Sequence, residues 1–209
     1  MERPLDRRRA CDIRHNVRVS EILILARVRI HEFDLPIVAD YYFEVSERLS
    51  TVQGSLGLSV WRDPRDPESF LVAYEYADLA AAERGLVALT EVRVLAETQA
   101  ADFRPAHVLR VKVFDRSARR LSEAPQTACL SMSIRIADPG YSPELLDDLG
   151  RTFEDLQYIP GYIGSVYGTN DVLEEEVIGL VVWANREAYV KSLPPGHQVS
   201  DLTMYSRFY

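Results

Sequence analysis

An internal repeat constrains this fold more than any other feature of the sequence. The segments Gln53–Gly57 (QGSLG) and Pro160–Gly164 (PGYIG) share the pattern x-G-x-(L/I)-G and lie 107 positions apart. The same offset aligns Phe70–Tyr76 (FLVAYEY) with Val177–Trp183 (VIGLVVW). Because similar segments recur in the same order at a nearly constant spacing, the sequence predicts two copies of one structural unit.

The offset shifts slightly along the repeat. An offset of 106 aligns Arg27–Ile30 (RVRI) with Ser133–Ile136 (SIRI), and an offset of 94 aligns Val108–Phe114 with Leu202–Phe208. The first copy is therefore about 13 residues longer between its second helix and its last strand. Insertions of this kind fall in the connections between elements, so the elements themselves are expected to correspond one to one.

The first element of each copy is predicted to be a strand. In Glu21–Ile30 every second residue from Ile22 is apolar, and the alternate positions mix leucine with arginine. In the second copy Leu130, Met132, Ile134 and Ile136 alternate with Ser131, Ser133 and Arg135. A period of two predicts a strand with one apolar face and one mixed face.

Helices are predicted to follow. Leu35–Ser50 carries apolar residues at helical spacing. Ser142 followed by Pro143 predicts an N-cap and a first helical residue in the second copy. Asp78 and Asn185 are predicted to cap the second helix of each copy.

Each unit therefore has the order βαββαβ, which is that of a ferredoxin-like fold with four antiparallel strands and two helices on one face. The opposite face of the first sheet is too apolar to remain in water. Its apolar residues are Leu23, Leu25, Leu109, Val111 and Val113. We predict an α+β protein in which two such antiparallel sheets, fused in one chain, bury these faces against each other.

The predicted boundaries follow from this repeat. We expect a flexible basic tail over residues 1–19, a first unit over 20–114, a polar linker over 115–126 and a second unit over 127–209. The tail carries six arginines, for which a solvated segment is the simplest interpretation and an RNA or membrane contact the alternative.

Composition narrows the function. The net charge of −8 argues against nucleic acid and anionic membranes as partners of the whole chain. Cys11 and Cys129 offer neither a metal-binding spacing nor a disulfide framework. No apolar run approaches the roughly 20 residues of a membrane-spanning helix. We expect a cytoplasmic protein without a bound metal.

Three features together resemble the dimeric α/β-barrel superfamily, in particular its antibiotic biosynthesis monooxygenase type. They are the PGYIGS segment at Pro160–Ser165, the VVWANREAY segment at Val181–Tyr189 with its counterpart AYEYADLAA at Ala73–Ala81, and the βαββαβ order. The resemblance covers roughly residues 20–114 and 127–209. It implies a barrel of paired sheets, here a pseudo-dimer within one chain, with a pocket between the sheet and the helices of each unit.

The resemblance also bears on the chemistry. Members of this superfamily include cofactor-free oxygenases of quinols or polyketide phenols and haem-degrading enzymes. The haem-degrading type carries an Asn on the first strand, a Trp ending the third and a His on the second helix. Trp183 matches the Trp, with Tyr76 at that position in the first copy, but both first strands lack Asn and both second helices lack His. We therefore do not expect haem degradation, and we predict no cofactor.

The candidate site residues follow from position and residue type. Candidate catalytic residues are His197, Trp183 and Tyr76, and candidate pocket residues are Trp61, Tyr167, Arg27, Arg29, Arg135 and Arg207. Core packing is the alternative for the aromatic residues, a rim salt bridge for the arginines and an exposed loop for His197. Tyr41, Tyr42 and Phe43 of the first helix are expected mostly in the core, with one tyrosine able to face the pocket.

Two functions remain open at this stage. The first is cofactor-independent oxygenation of a phenolic or quinol-type aromatic molecule. The second is non-catalytic binding of a small apolar ligand or of a partner, which the missing Asn and His favour. In both cases the expected partner is a small aromatic or apolar molecule, and pairing of the pseudo-dimer into a homodimer also stays open.

Overall fold

The computed structural model describes residues 21–30, 35–97, 107–117, 119–193 and 203–209. The first unit comprises β1 (Ile22–Arg29), α1 (Leu35–Ser50), β2 (Ser55–Arg62), β3 (Ser69–Tyr76), α2 (Leu79–Glu97) and β4 (His107–Arg116). The second comprises β5 (Cys129–Ile136), α3 (Ser142–Leu156), β6 (Tyr162–Asn170), β7 (Glu176–Trp183), α4 (Arg186–Ser192) and β8 (Thr203–Arg207). The predicted βαββαβ order is present twice.

The eight strands form one closed antiparallel barrel in the order β1-β3-β2-β8-β5-β7-β6-β4. Two seams join the units, because β4 pairs with β6 and β2 pairs with β8. Closure gives every strand of the described barrel a neighbour on both sides, so none of these strands is a free edge strand. The predicted fold class, tandem ferredoxin-like units paired as an intramolecular barrel, is confirmed, and the two sheets meet edge to edge at both seams.

A cluster of buried apolar side chains occupies the barrel interior. Eight strands leave an interior that side chains can just fill. The core combines the inner faces of both units with part of the connection between them. Its members are Leu23, Leu25, Trp61, Leu71, Ala73, Leu109, Val111, Val113, Leu121, Ala124, Ala128, Leu130, Met132, Val166, Ile178, Leu180, Val182 and Tyr205. The five residues predicted to hide one face of the first sheet are all in this core.

Strand pairing corrects one detail of the repeat. Val28 pairs with Phe70 in the first unit, and Arg135 pairs with Val177 in the second, so the offset of 107 extends through the first strands. The offset of 106 that matched Arg29 to Arg135 is therefore wrong by one residue. A shift of one residue moves a side chain to the other face of a strand, so Arg29 lies on the barrel side and Arg135 on the helix side.

The helix starts are mostly as predicted. The Asp78 carboxylate accepts a hydrogen bond from the Ala81 amide at 2.7 Å, and the Asn185 side chain accepts one from the Ala188 amide at 2.9 Å. The predicted Ser142 cap is wrong, because Ser142 is the first helical residue and the cap position belongs to Tyr141, which makes no side-chain cap bond.

The connection between β4 and β5 covers one end of the barrel. It forms a short 3₁₀ turn at Leu121–Glu123, and Leu121 and Ala124 are buried in the barrel core. The sequence predicted this segment only as a polar linker. Its apolar residues instead fill the end of the barrel, which would otherwise expose the core to water.

A buried carboxylate holds this connection in place. Glu75 points into the barrel from the end of β3 and is fully buried. Its Oε1 accepts hydrogen bonds from Arg116 Nη1 at 2.6 Å and from the Leu121 amide at 3.3 Å, and its Oε2 accepts one from the Ser122 amide at 3.0 Å. Arg207 donates to the Leu121 and Ser122 carbonyls at 3.4 and 3.3 Å. A buried charge with this many partners fixes the position of the turn.

Replacing Glu75 by glutamine should destabilise the whole barrel. The change removes the fully buried one of the two carboxylates paired with Arg116, the other being Glu21 at 2.6 Å, and breaking a buried ion pair typically costs about 3 kcal/mol. Chemical denaturation followed by circular dichroism measures the free energy of unfolding. The control is Glu187→Gln, which removes a solvent-exposed i,i+4 ion pair with Lys191 and should have no measurable effect. Equal stability of the two variants would contradict the assigned role.

An ion-pair cluster reinforces the β4–β6 seam. Asp171, at the end of β6, is largely buried and lies against Arg110 and against Lys112 Nζ, the latter at 2.7 Å. Hydrogen bonding from Lys112 and the charge of Arg110 hold the pKa of this carboxyl below its ordinary value. The ionised form is therefore the one that the folded barrel favours.

This lowered pKa predicts a pH dependence. The stabilisation by Asp171 is fully present above the ordinary carboxyl pKa of 3.8 and is lost as the pH falls through the lower folded-state pKa. Thermal unfolding between neutral pH and about pH 3 should therefore show a smaller acid-induced drop in Tm for Asp171→Asn than for the wild type. Parallel drops in the two proteins would rule out this contribution.

No helix among the described residues is long and apolar enough to cross a membrane.

Candidate functional site

A cavity of about 270 Å³ lies in the first unit, between its two helices and the outer face of its sheet. The floor comes from β1, β3 and β4, and the walls come from α1 and α2. The described lining residues are Ile24, Ala26, Val28, Tyr41, Tyr42, Tyr74, Leu86, Leu89, Thr90 and Val108. Leu86 is 45% exposed and Val108 is 51% exposed, so these two residues mark the side on which the cavity opens to solvent.

The alternation of β1 creates the apolar floor. Ile24, Ala26 and Val28 face the helices, while the alternate leucines enter the barrel core. Ala26 is the smallest of the three and lies between two larger side chains along the strand. The floor is therefore recessed at its centre, and the described lining contains no charged side chain.

Three tyrosines give the cavity its polar character. Tyr41 and Tyr42, adjacent on α1, pack edge to face with ring centroids 5.1 Å apart. Burial, and to a lesser extent the neighbouring phenols, raise the pKa of Tyr42 and of Tyr74 well above the ordinary value. Both hydroxyls therefore stay protonated at neutral pH and can act as neutral hydrogen-bond donors.

Tyr76 lies beside the cavity but does not line it. The residue is fully buried at the end of β3, and its hydroxyl has no hydrogen-bond partner among the described residues. Its ring packs directly against Gly85 of α2, where a Cβ atom would come within 2.4 Å of the ring. Burial raises the pKa of Tyr76 to about 12. The predicted catalytic role of Tyr76 stays a prediction.

Replacing Tyr76 by phenylalanine distinguishes a structural from a catalytic role. Removing a buried hydroxyl that lacks a partner should raise the free energy of unfolding by about 1 kcal/mol. The matched variant Tyr162→Phe removes a hydroxyl that bonds to Ser165 Oγ at 2.8 Å, and it should lower stability by about as much. Urea denaturation of both variants checks the signs, and a Tyr76→Phe protein that is stable but inactive would indicate catalysis instead.

Trp183 lies in the core of the second unit. It is buried at the end of β7, and its indole Nε1 donates a hydrogen bond to Ser131 Oγ at 3.1 Å. Its ring contacts Tyr162 and Tyr189 at centroid distances of 6.2 and 6.1 Å. Trp183 and Tyr76 therefore occupy equivalent positions in different units, each under its own second helix, and do not meet in one site.

Trp61 and Tyr167 lie on opposite sides of the sheet. Trp61 is in the barrel core, where the guanidinium of Arg207 lies 5.2 Å from the centre of its ring. Tyr167 faces the helices of the second unit and packs on Phe153 at 5.4 Å. It also borders a cleft of about 140 Å³ that includes the charged residues Asp115, Arg116 and Glu154.

The other arginines are dispersed. Arg29 forms the expected rim salt bridges, to Asp66 at 2.9 Å and to Glu68 at 3.2 Å. Arg27 lies close to Tyr205, where its charge opposes the rise that burial causes in the Tyr205 pKa. Arg135 is exposed near the end of β5. None of the four predicted arginines lines the 270 Å³ cavity. The predicted catalytic residue His197 lies outside the described residues.

The sequence predicted only some of the residues that line the cavity. One of Tyr41 and Tyr42 was expected to face a pocket, and both do, whereas Tyr74 was missed. The prediction that Phe43 lies in the core was wrong, because its side chain is exposed on α1. The signal for Tyr74 is its place in the alternation of β3, since it shares the helix side with Tyr76. Within the described ranges, no three His, Cys, Asp or Glu side chains lie close enough together to hold a metal ion.

The described chain thus forms a fused pair of ferredoxin-like units in a closed barrel, with an aromatic cavity beneath the helices of one unit. No protein-family model and no curated protein matches the sequence. Solved structures do share its fold. A "putative monooxygenase" from Fusobacterium nucleatum has a TM-score of 0.70 at 13% identity, over 90% of this chain and 92% of that one. Another from Lactobacillus acidophilus has a TM-score of 0.69 at 15% identity, over 90% and 94%.

A third solved structure is also similar to this chain. It is an uncharacterised ferredoxin-fold protein from Listeria monocytogenes related to antibiotic biosynthesis monooxygenases, with a TM-score of 0.52 at 9% identity over 93% of this chain and 99% of that one. The chain therefore has the pseudo-dimeric fold of the antibiotic biosynthesis monooxygenase-like proteins, as the resemblance in the sequence implied. Identities this low show a shared fold and leave the substrate to chemical argument.

Proposed function

We propose that this protein is a monooxygenase that acts on a phenolic or quinol-type aromatic molecule, without a metal or flavin. The observation that carries the proposal is the tyrosine-lined cavity of about 270 Å³. The likeness in fold to proteins named as monooxygenases supports the reaction class. The cavity supports the substrate class, as its size, polarity and hydrogen-bonding groups each indicate.

The size of the cavity suits one or two fused rings. A dry apolar cavity of about 150 Å³ is enough to bind benzene. Larger drug-sized ligands usually occupy about 300–1,000 Å³. A volume of 270 Å³ falls between these limits, and the recess in the apolar floor at Ala26 leaves room for a ring.

The tyrosine hydroxyls suit a phenolate. Oxygenation without a cofactor requires an electron-rich substrate anion, and hydrogen-bond donors in a dry site stabilise such an anion. Tyr42 and Tyr74 provide donors that remain protonated because burial raises the pKa of both. A neutral donor that cannot itself ionise is a known means of stabilising an oxyanion in an apolar pocket.

The reaction balances with the substrate as the only reductant. A hydroquinone and O₂ give a hydroxyquinone and water, so one oxygen atom enters the ring and the other leaves as water. Reduction of both oxygen atoms of O₂ takes four electrons. Oxidation of the hydroquinone to the quinone supplies two of them, and conversion of a ring C–H to C–OH supplies the other two. The protein's part is to hold the ring, stabilise the anion and limit access of water.

Oxygen consumption with matched controls tests this function. We expect uptake above spontaneous autoxidation with one- and two-ring hydroquinones, and a loss of at least about tenfold in Ala26→Leu, whose larger side chain fills the cavity. Autoxidation releases hydrogen peroxide, whereas monooxygenation does not, so catalase should leave the enzymatic uptake unchanged. Product carrying one ¹⁸O atom from labelled O₂ would establish the reaction; equal uptake in both proteins would refute it.

The second candidate function is binding without turnover. It is favoured by the described lining, which includes no histidine or carboxylate able to remove the phenol proton. Under this alternative, aromatic ligands would bind and Ala26→Leu would weaken binding, but no oxygen would be consumed. If turnover does occur, its rate should rise with pH through the pKa of each substrate phenol, because burial raises the pKa of Tyr42 and of Tyr74 well above that of an ordinary phenol.

A further inference from the structure

The two units share a topology but differ in the space beneath their helices. The strand register equates Ile24 and Ala26 of β1 with Ser131 and Ser133 of β5. The β1 part of the floor is therefore apolar in the first unit, whereas the corresponding β5 part carries two serines in the second unit. Duplication has kept the backbone of the site and changed its chemistry.

Side chains of α3 fill the matching space in the second unit. Gly179 of β7 occupies the position of Val72 in β3. A Cβ atom at Gly179 would come within 2.9 Å of the Phe153 ring and 3.0 Å of Leu149, so both side chains rest on the bare backbone of the strand. The helix and sheet are in direct contact there.

A tyrosine fills more of this space. Tyr167 of β6, at the register position of Val60 in β2, reaches across to Gly150 of α3. A Cβ atom at Gly150 would lie 2.6 Å from the Tyr167 hydroxyl. The glycine thus makes room for a phenol ring, which in the second unit is part of the protein.

The second helices also differ. In the first unit α2 has 19 residues and supplies Leu86, Leu89 and Thr90 to the cavity wall. Its counterpart α4 has 7 residues. The helix that walls the cavity in the first unit thus has a much shorter equivalent in the second.

We infer that the barrel binds one small aromatic molecule per chain, in the first unit alone, and that the second unit serves to close the barrel. This inference rests on the proposed function, because the same cavity is used. It adds that only the first copy of the duplicated site binds a ligand. In the second copy, the side chains of Tyr167, Phe153 and Leu149 occupy the corresponding space.

Binding of 2-naphthol tests the inference. This two-ring phenol is fluorescent, and its emission shows whether its hydroxyl is in contact with water. We expect titration and native mass spectrometry of the full chain to give one molecule per chain. Ala26→Leu should weaken binding by at least about tenfold, and the register-matched Ser133→Leu should leave it within about twofold.

Each outcome points to a different conclusion. Two molecules per chain, or one whose binding is lost in Ser133→Leu but not in Ala26→Leu, would overturn the single-site inference and leave the proposed function intact. No binding to the wild type would refute the proposed function itself. Circular dichroism checks folding, and Leu89→Phe fills the cavity from its wall if Ala26→Leu does not fold.

Discussion

Closure of the barrel along its two seams is the constraint on which the rest of the structure depends. Each unit alone would expose two strand edges and one apolar sheet face to water. Pairing of β4 with β6 and of β2 with β8 covers the edges and buries the apolar faces at the same time. The core then needs only to be sealed at its ends. Glu75 anchors the 3₁₀ turn that seals one of them, and its counterpart by register in the second unit is the apolar Val182.

Buried side chains of both units occupy the barrel interior, and the 270 Å³ cavity lies on the outer face of the sheet, beneath the helices. There the two copies have diverged. The first combines an apolar floor with tyrosines that stay protonated, and the second fills its space with Phe153, Leu149 and Tyr167. The first copy therefore holds the cavity, while both copies contribute strands to the closed barrel.

The fold could be predicted from the sequence because it follows from periodicity. The alternation in β1 and β5, the Asp78 and Asn185 caps and the repeat order are local patterns. The site could be predicted less well. Trp61 and Tyr167 look equivalent along the chain but lie on opposite faces, because a one-residue register difference reverses a side chain. Glu75 gave no signal, since its partners Arg116 and Leu121 come from a segment more than 40 residues away.

The β2–β8 seam has a consequence for biosynthesis. Trp61 pairs with Arg207, so one edge of β2 lacks its partner until β8 has been translated. At roughly 5–20 residues per second, that edge waits for many seconds on the ribosome. During that time the unpaired edge is open to pairing with strands of other chains.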